Sequence, residues 1–173
     1  MLKAAIVMGS DSDLGVLSAA AGVLEYFAVP FEIKILSAHR TPEAALSYAA
    51  SAGKRGFGVI IAGAGGAAHL PGVLAAATLL PVIGVPMNAT SFEGLDSLLS
   101  IVQMPAGIPV ATVGVNSAKN AGLLAVQILA VKETRLKAKL KIYRAKMKKE
   151  VLAKTAKLDR AGYKKYLQEM KLK

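Results

Sequence analysis

Five short apolar runs punctuate the first 115 positions: Ala4–Met8, Phe31–Leu36, Gly58–Ala62, Val82–Val85 and Pro109–Val113. They are nearly continuous in apolar residues rather than alternating. That pattern predicts strands of a parallel sheet buried on both faces. Between them lie segments with helical periodicity. Leu14–Phe27 places Leu17, Ala20, Ala21 and Leu24 on one stripe. Thr41 before Pro42 reads as an N-cap followed by a first helical residue, and the helix runs through Ala44, Ala45, Tyr48 and Ala49 to Gly53. Leu70–Leu79, Gly94–Val102 and Lys119–Val131 complete the set. Strands alternating with helices predict right-handed crossovers and a doubly wound α/β sandwich. In that architecture ligands sit beyond the carboxyl ends of the strands.

From about Lys132 the pattern changes. Leu136, Leu140, Tyr143 and Met147 recur at helical spacing among lysines, and Tyr163, Tyr166, Leu167 and Met170 form a second stripe. Charge divides at the same place. Residues 1–131 carry six Lys/Arg and seven Asp/Glu; residues 132–173 carry sixteen and four. The net charge of +11 therefore belongs to the tail, and the near-neutral body argues against a nucleic-acid partner. Residues 1–131 are expected to be the catalytic α/β domain. Residues 132–173 are expected to be a basic helical extension packed on the body or on a neighbouring subunit. An arm for RNA or an anionic membrane is the alternative, and the tail has no motif dedicated to either.

Composition narrows the class further. The mean hydropathy of +0.46 is high, yet Gly, Thr or Pro breaks every long apolar stretch. None reaches the roughly 18 residues of a membrane helix. The N-terminus lacks the pattern of a signal peptide. There is no Cys, which excludes disulfides and thiolate metal sites. A cytoplasmic protein is expected.

Three strand-end loops hold the candidate chemistry. The first, Gly9-Ser10-Asp11-Ser12-Asp13, has a flexible glycine, hydroxyl donors and a following helix N-terminus suited to phosphate. Asp13 can accept hydrogen bonds from ribose hydroxyls. Ordinary capping by Ser12 or Asp13 would explain one of these polar residues, not a run of four. The second loop, Ser37-Ala38-His39-Arg40-Thr41-Pro42, pairs a phosphate-binding guanidinium with an imidazole able to carry protons. The third runs from Gly63 to Gly72 and contains the second His, His69. It fits G-x-G-x-x-A, but that dinucleotide fingerprint needs an acidic residue about 20 positions on, and none occurs between Glu43 and Glu93. Small residues here let backbone approach a ligand closely. His69 is either a helix-start residue bonded to backbone or a substrate contact. Two His without a supporting carboxylate pair make a poor metal site. Proton chemistry without metal or cofactor is the expectation.

At these loops the chain resembles the microbial 5-(carboxyamino)imidazole ribonucleotide mutase family. The matching runs are Val7–Asp13, Ser37–Pro42, Ile60–Gly72 and Gly94–Pro105, with a weaker match over Asn120–Ala125. The resemblance implies a three-layer flavodoxin-like sandwich around a parallel five-stranded sheet, assembled as a homo-octamer with active sites between subunits. It implies that Ser10, Asp13 and Arg40 bind the nucleotide substrate, with Ser12 and Ser37 nearby. His39 would be the general acid/base, and Gly65 and His69 would line the carboxylate pocket. It also implies functional coupling to an ATP-dependent enzyme that supplies the carbamate. Met87–Glu93 departs from the family's usual Val-Gln-Ser segment, and Val113–Lys119 is shorter than usual. A sister class carboxylates aminoimidazole ribonucleotide directly. It usually has Lys in place of Arg40 and lacks the Gly65–His69 run.

Overall fold

The computed structural model describes residues 1–88 and 92–171. The chain forms two compact units, Met1–Glu133 and Thr134–Lys173.

The first unit is built on five parallel strands: β1 (Lys3–Met8), β2 (Phe31–Ile35), β3 (Phe57–Gly65), β4 (Val82–Met87) and β5 (Ala111–Thr112). Their order is β2-β1-β3-β4-β5, the flavodoxin-like order. Helices α1 (Leu14–Phe27) and α5 (Ala118–Ala130) pack together on one face of the sheet. Helices α2 (Pro42–Ala52), α3 (Leu70–Ala76) and α4 (Leu95–Val102) cover the other. The central strands are buried on both faces, so their apolar runs need no alternation. Ala5, Val7, Ile60, Ala62 and Ile101 belong to one core cluster under α2, α3 and α4.

β2 departs from the both-faces-buried expectation. It is an edge strand, and Ile33 and Ile35 are 37% and 54% exposed. On this strand both carboxylate oxygens of Glu32 accept from Arg55 Nη2, at 2.8 and 2.9 Å, and the Arg55 guanidinium also lies over the rings of Tyr48 and Phe57. The guanidinium is the main cause that holds the Glu32 carboxyl below its ordinary range, while burial pushes the Tyr48 phenol up to about 12. β5 is shorter than the Pro109–Val113 run, pairing only at Ala111 and Thr112. Pro109 has no N–H to give to a ladder. α3 stops at Ala76, short of Leu79, which is fully exposed.

The second unit consists of α6 (Thr134–Ala161) and α7 (Tyr163–Lys171), separated at Gly162 with φ of +73°. Lys157 pairs with Glu169 and lies over the Tyr166 ring, which ties the two helices together. Much of the apolar stripe stays open, with Met147, Tyr163, Leu167 and Met170 all exposed. No helix among the described residues is long and apolar enough to cross a membrane.

Candidate active site

Parallel strands all end on the same rim, so the loops after β1, β2 and β3 converge there. Because β1 sits between β2 and β3, its loop is flanked by the other two. Together they line a cleft of about 350 Å³. All eight candidates, Ser10, Ser12, Asp13, Ser37, His39, Arg40, Gly65 and His69, line this one cleft.

The loop after β1 folds as one 3-10 turn, Asp11–Asp13. Neither Ser12 nor Asp13 caps the helix with its side chain, contrary to the capping alternative. Asp13 occupies the N-cap position of α1 without a side-chain cap bond. Ser10 caps the small turn instead, its Oγ accepting from the Ser12 amide at 3.3 Å and from the Ser12 hydroxyl at 2.9 Å. Asp13 is only 8% exposed. Burial is the main cause raising its pKa, opposed by the Ser12 hydroxyl and the Ser10 backbone, with the Asp11 charge adding to the rise.

The loop after β2 is a closed turn. The Thr41 amide donates to the Ser37 carbonyl at 2.9 Å, and the Ser37 amide donates to Thr41 Oγ1 at 3.0 Å. Thr41 therefore precedes Pro42 as expected, but its hydroxyl closes this turn instead of capping α2. Ser37 Oγ accepts from the Arg40 amide at 3.1 Å and from Arg40 Nε at 3.4 Å. Arg40 Nη2 donates to the Gly9 carbonyl at 2.8 Å. That bond spans the first and second loops and holds the guanidinium at the cleft between them. The Gly9 carbonyl was not legible as a partner, because a backbone acceptor leaves no mark on residue type.

The third loop begins later than its glycines suggest. β3 continues through Gly65, which pairs with Met87 of β4. The turn comes at Gly66, whose φ of +60° suits a residue without Cβ. His69 then stands at the N-cap position of α3. Its Nδ1 lies 2.7 Å from Nε2 of His39, with the rings edge to face at 84°. Both imidazoles are exposed to the cleft. His69 is thus held by the other imidazole, a partner that neither alternative for it named.

Beside the cleft, two side chains anchor the segment after β4. Ser97 is fully buried, and its Oγ lies 2.7 Å from the Met87 carbonyl and 2.9 Å from that of Gly94. Asn116 Oδ1 accepts from the Asn88 amide at 3.0 Å. Part of the atypical Met87–Glu93 stretch, residues 89–91, lies outside the described residues. Among the described residues no group of three or more His, Asp or Glu is placed to hold a metal ion.

The profile of the AIR carboxylase family matches residues 3–150. The chain belongs to that family. It is similar to the N5-carboxyaminoimidazole ribonucleotide mutase of Pyrococcus horikoshii, 59% identical over 164 residues that cover 95% of this chain and 93% of the relative. The mutase of Thermotoga maritima is 56% identical over 169 residues, 98% of this chain and 99% of that one. A phosphoribosylaminoimidazole carboxylase of Saccharomyces cerevisiae is 56% identical over 163 residues, 94% of this chain but 28% of that longer protein. The fold is also that of the crystal structure of Treponema denticola PurE, with a TM-score of 0.82 at 29% identity, covering 91% of this chain and 99% of that one.

Proposed function

We propose that the rim cleft moves a carboxylate within a nucleotide. The chain is an isomerase of purine biosynthesis, an N5-carboxyaminoimidazole ribonucleotide mutase. It converts 5-(carboxyamino)imidazole ribonucleotide into 5-amino-1-(5-phosphoribosyl)imidazole-4-carboxylate. The observation that carries the site assignment is the exposed His39 imidazole in the same cleft as Ser10 and Arg40.

Arg40 grips the phosphate with the donors that its bonds to Gly9 and Ser37 leave over. Both Arg40 contacts to Ser37 use the serine oxygen as acceptor, so the Ser37 proton is available to the same ligand. Ser10 and Ser12 contribute further hydroxyls, and Asp13 accepts from the ribose. His39 as imidazolium protonates the exocyclic nitrogen while the carbon–nitrogen bond of the carbamate breaks and carbon dioxide departs. The gas stays in the pocket walled by Gly65 and His69. Ring carbon 4 attacks it, and neutral His39 takes the ring proton. One proton leaves His39 and one returns. Holding both fragments in one small pocket makes recapture effectively unimolecular.

The body, residues 1–131, carries this chemistry, and among the described residues the basic extension, residues 132–173, contributes none to the cleft lining. The chain assembles as a homo-octamer with clefts at subunit boundaries; the apolar side chains left exposed on α4, Leu95, Leu99 and Val102, support burial of that helix face against another subunit. The enzyme works in the cytoplasm, coupled to an ATP-dependent enzyme that makes the labile carbamate. Purified protein should convert the carbamate nucleotide without ATP, metal or bicarbonate. His39→Asn should fold normally and lose at least ~10²-fold in kcat, the scale of general acid–base catalysis. Inert wild-type protein refutes the activity, and a fully active His39→Asn refutes the role.

A further inference from the structure

The two imidazoles of this chain are its only histidines, and they meet. A nitrogen–nitrogen contact of 2.7 Å requires one proton between the atoms, since facing lone pairs repel and facing N–H groups repel more strongly. The contact therefore admits a neutral pair or a singly charged pair. It excludes a doubly charged one for as long as it lasts. The other titratable groups lining the cleft are Asp13, from the segment between β1 and α1, and Arg40, from the loop after β2. The segment between β3 and α3 contributes only His69. Among the described residues, no carboxylate hydrogen-bonds to either ring. The usual orienting partner of a catalytic histidine is thus replaced here by a second histidine.

We infer that His69 is a positioning residue for the proton transfer, holding His39 with its Nε2 proton directed into the cleft until the substrate nitrogen takes over that hydrogen bond. This rests on the function proposed above. His39 lies on an exposed loop, where an imidazole samples several rotamers, and the contact to His69 selects one. In the charged pair, His39 Nε2–H donates and His69 Nδ1 accepts. When His39 gives its proton to the exocyclic nitrogen, its Nε2 is left as a lone pair facing the lone pair of His69. That repulsion favours uptake of the proton from ring carbon 4, which restores the contact. His69 itself exchanges no proton with the substrate. One proton leaves the pair and one returns, as the isomerisation requires.

The assembled enzyme tests this with two variants. His69→Leu removes the acceptor, whereas His69→Asn places an amide near the position of Nδ1. His69→Leu should lower kcat by ~10²-fold while KM moves by less than about threefold, and His69→Asn should recover most of that loss. Selective 15N-histidine labelling gives spectra of two rings only. A scalar coupling between His39 Nε2 and His69 Nδ1 should appear in the wild type. A His69→Leu enzyme within about threefold of wild-type kcat overturns the inference, as does absence of the coupling at pH values where the enzyme is active. Wild-type protein inert on the carbamate nucleotide overturns the proposed function instead, and is read before any variant.

Discussion

Beyond the first helical turn, the helices that cover one face of the sheet hold two glycines, Gly22 in α1 and Gly122 in α5. Replacing either by Ala removes the entropic penalty of a helical glycine, a gain of about 1 kcal/mol. At Gly22 the new methyl meets nothing within 4 Å. At Gly122 it would stand 2.9 Å from Val23 Cβ, 3.0 Å from the Ala20 carbonyl oxygen and 3.1 Å from Ala20 Cα. These are backbone and backbone-proximal atoms of α1, not the ends of flexible chains, so the two helices must part. Overpacking of that kind costs about 1–3 kcal/mol, and rigid backbone contacts belong in the upper half of that range. Gly122→Ala should therefore lose about 1–2 kcal/mol net, while Gly22→Ala gains up to about 1. At about 2–4 °C per kcal/mol for a chain of this size, Gly122→Ala should melt about 2–8 °C lower and Gly22→Ala a few degrees higher. Thermal and urea unfolding of the three proteins under identical conditions reads this directly. A Gly122→Ala protein at or above the wild-type midpoint refutes the claim that backbone proximity, not helix propensity, decides that position.

Ser97→Ala should cost about 1–3 kcal/mol in urea unfolding, because it strips a buried donor from the Met87 and Gly94 carbonyls. Asp13→Asn should bind the nucleotide about 10–100-fold more weakly, the loss of a charged hydrogen-bond acceptor, in calorimetry. The same variant should make the unliganded fold more stable at neutral pH. Because the folded pKa of Asp13 is raised, its ionised form opposes folding, and that cost sets in as pH rises from 3.8 through the raised value. Glu32 runs the other way: its folded pKa is depressed, so its pairing with Arg55 stabilises above pH 4.5 and is lost as pH falls through the depressed value. The stability gap between wild type and Glu32→Gln, measured by denaturant at a series of pH values, should be present at pH 7 and close in strong acid.

Much of the fold was legible because local and global signals agree. α1 spans Leu14–Phe27, as its apolar stripe indicates, and the apolar runs of β1, β3 and β4 mark strands buried on both faces. What failed were the places where position in the sheet outweighs composition. β2 has an apolar run yet is half open, because it is an edge strand and an edge lacks a neighbour to cover it. Gly63 and Gly65 read as loop glycines but lie in β3. A methyl on Gly63 would come 2.5 Å from Met87 Cε and 2.9 Å from Leu17 Cδ1, so the glycine serves packing there and not a turn.

The residue types and their order determined which side chains stand on strand-end loops, since strand and helix periods are local properties that a linear pattern records. Tertiary structure alone decided that loops some 30 positions apart share one cleft, where Arg40 reaches the Gly9 carbonyl and His39 meets His69. Those contacts depend on which strands are neighbours and in what register. Both are set by packing of the whole sheet against its helices, and no single segment carries that information.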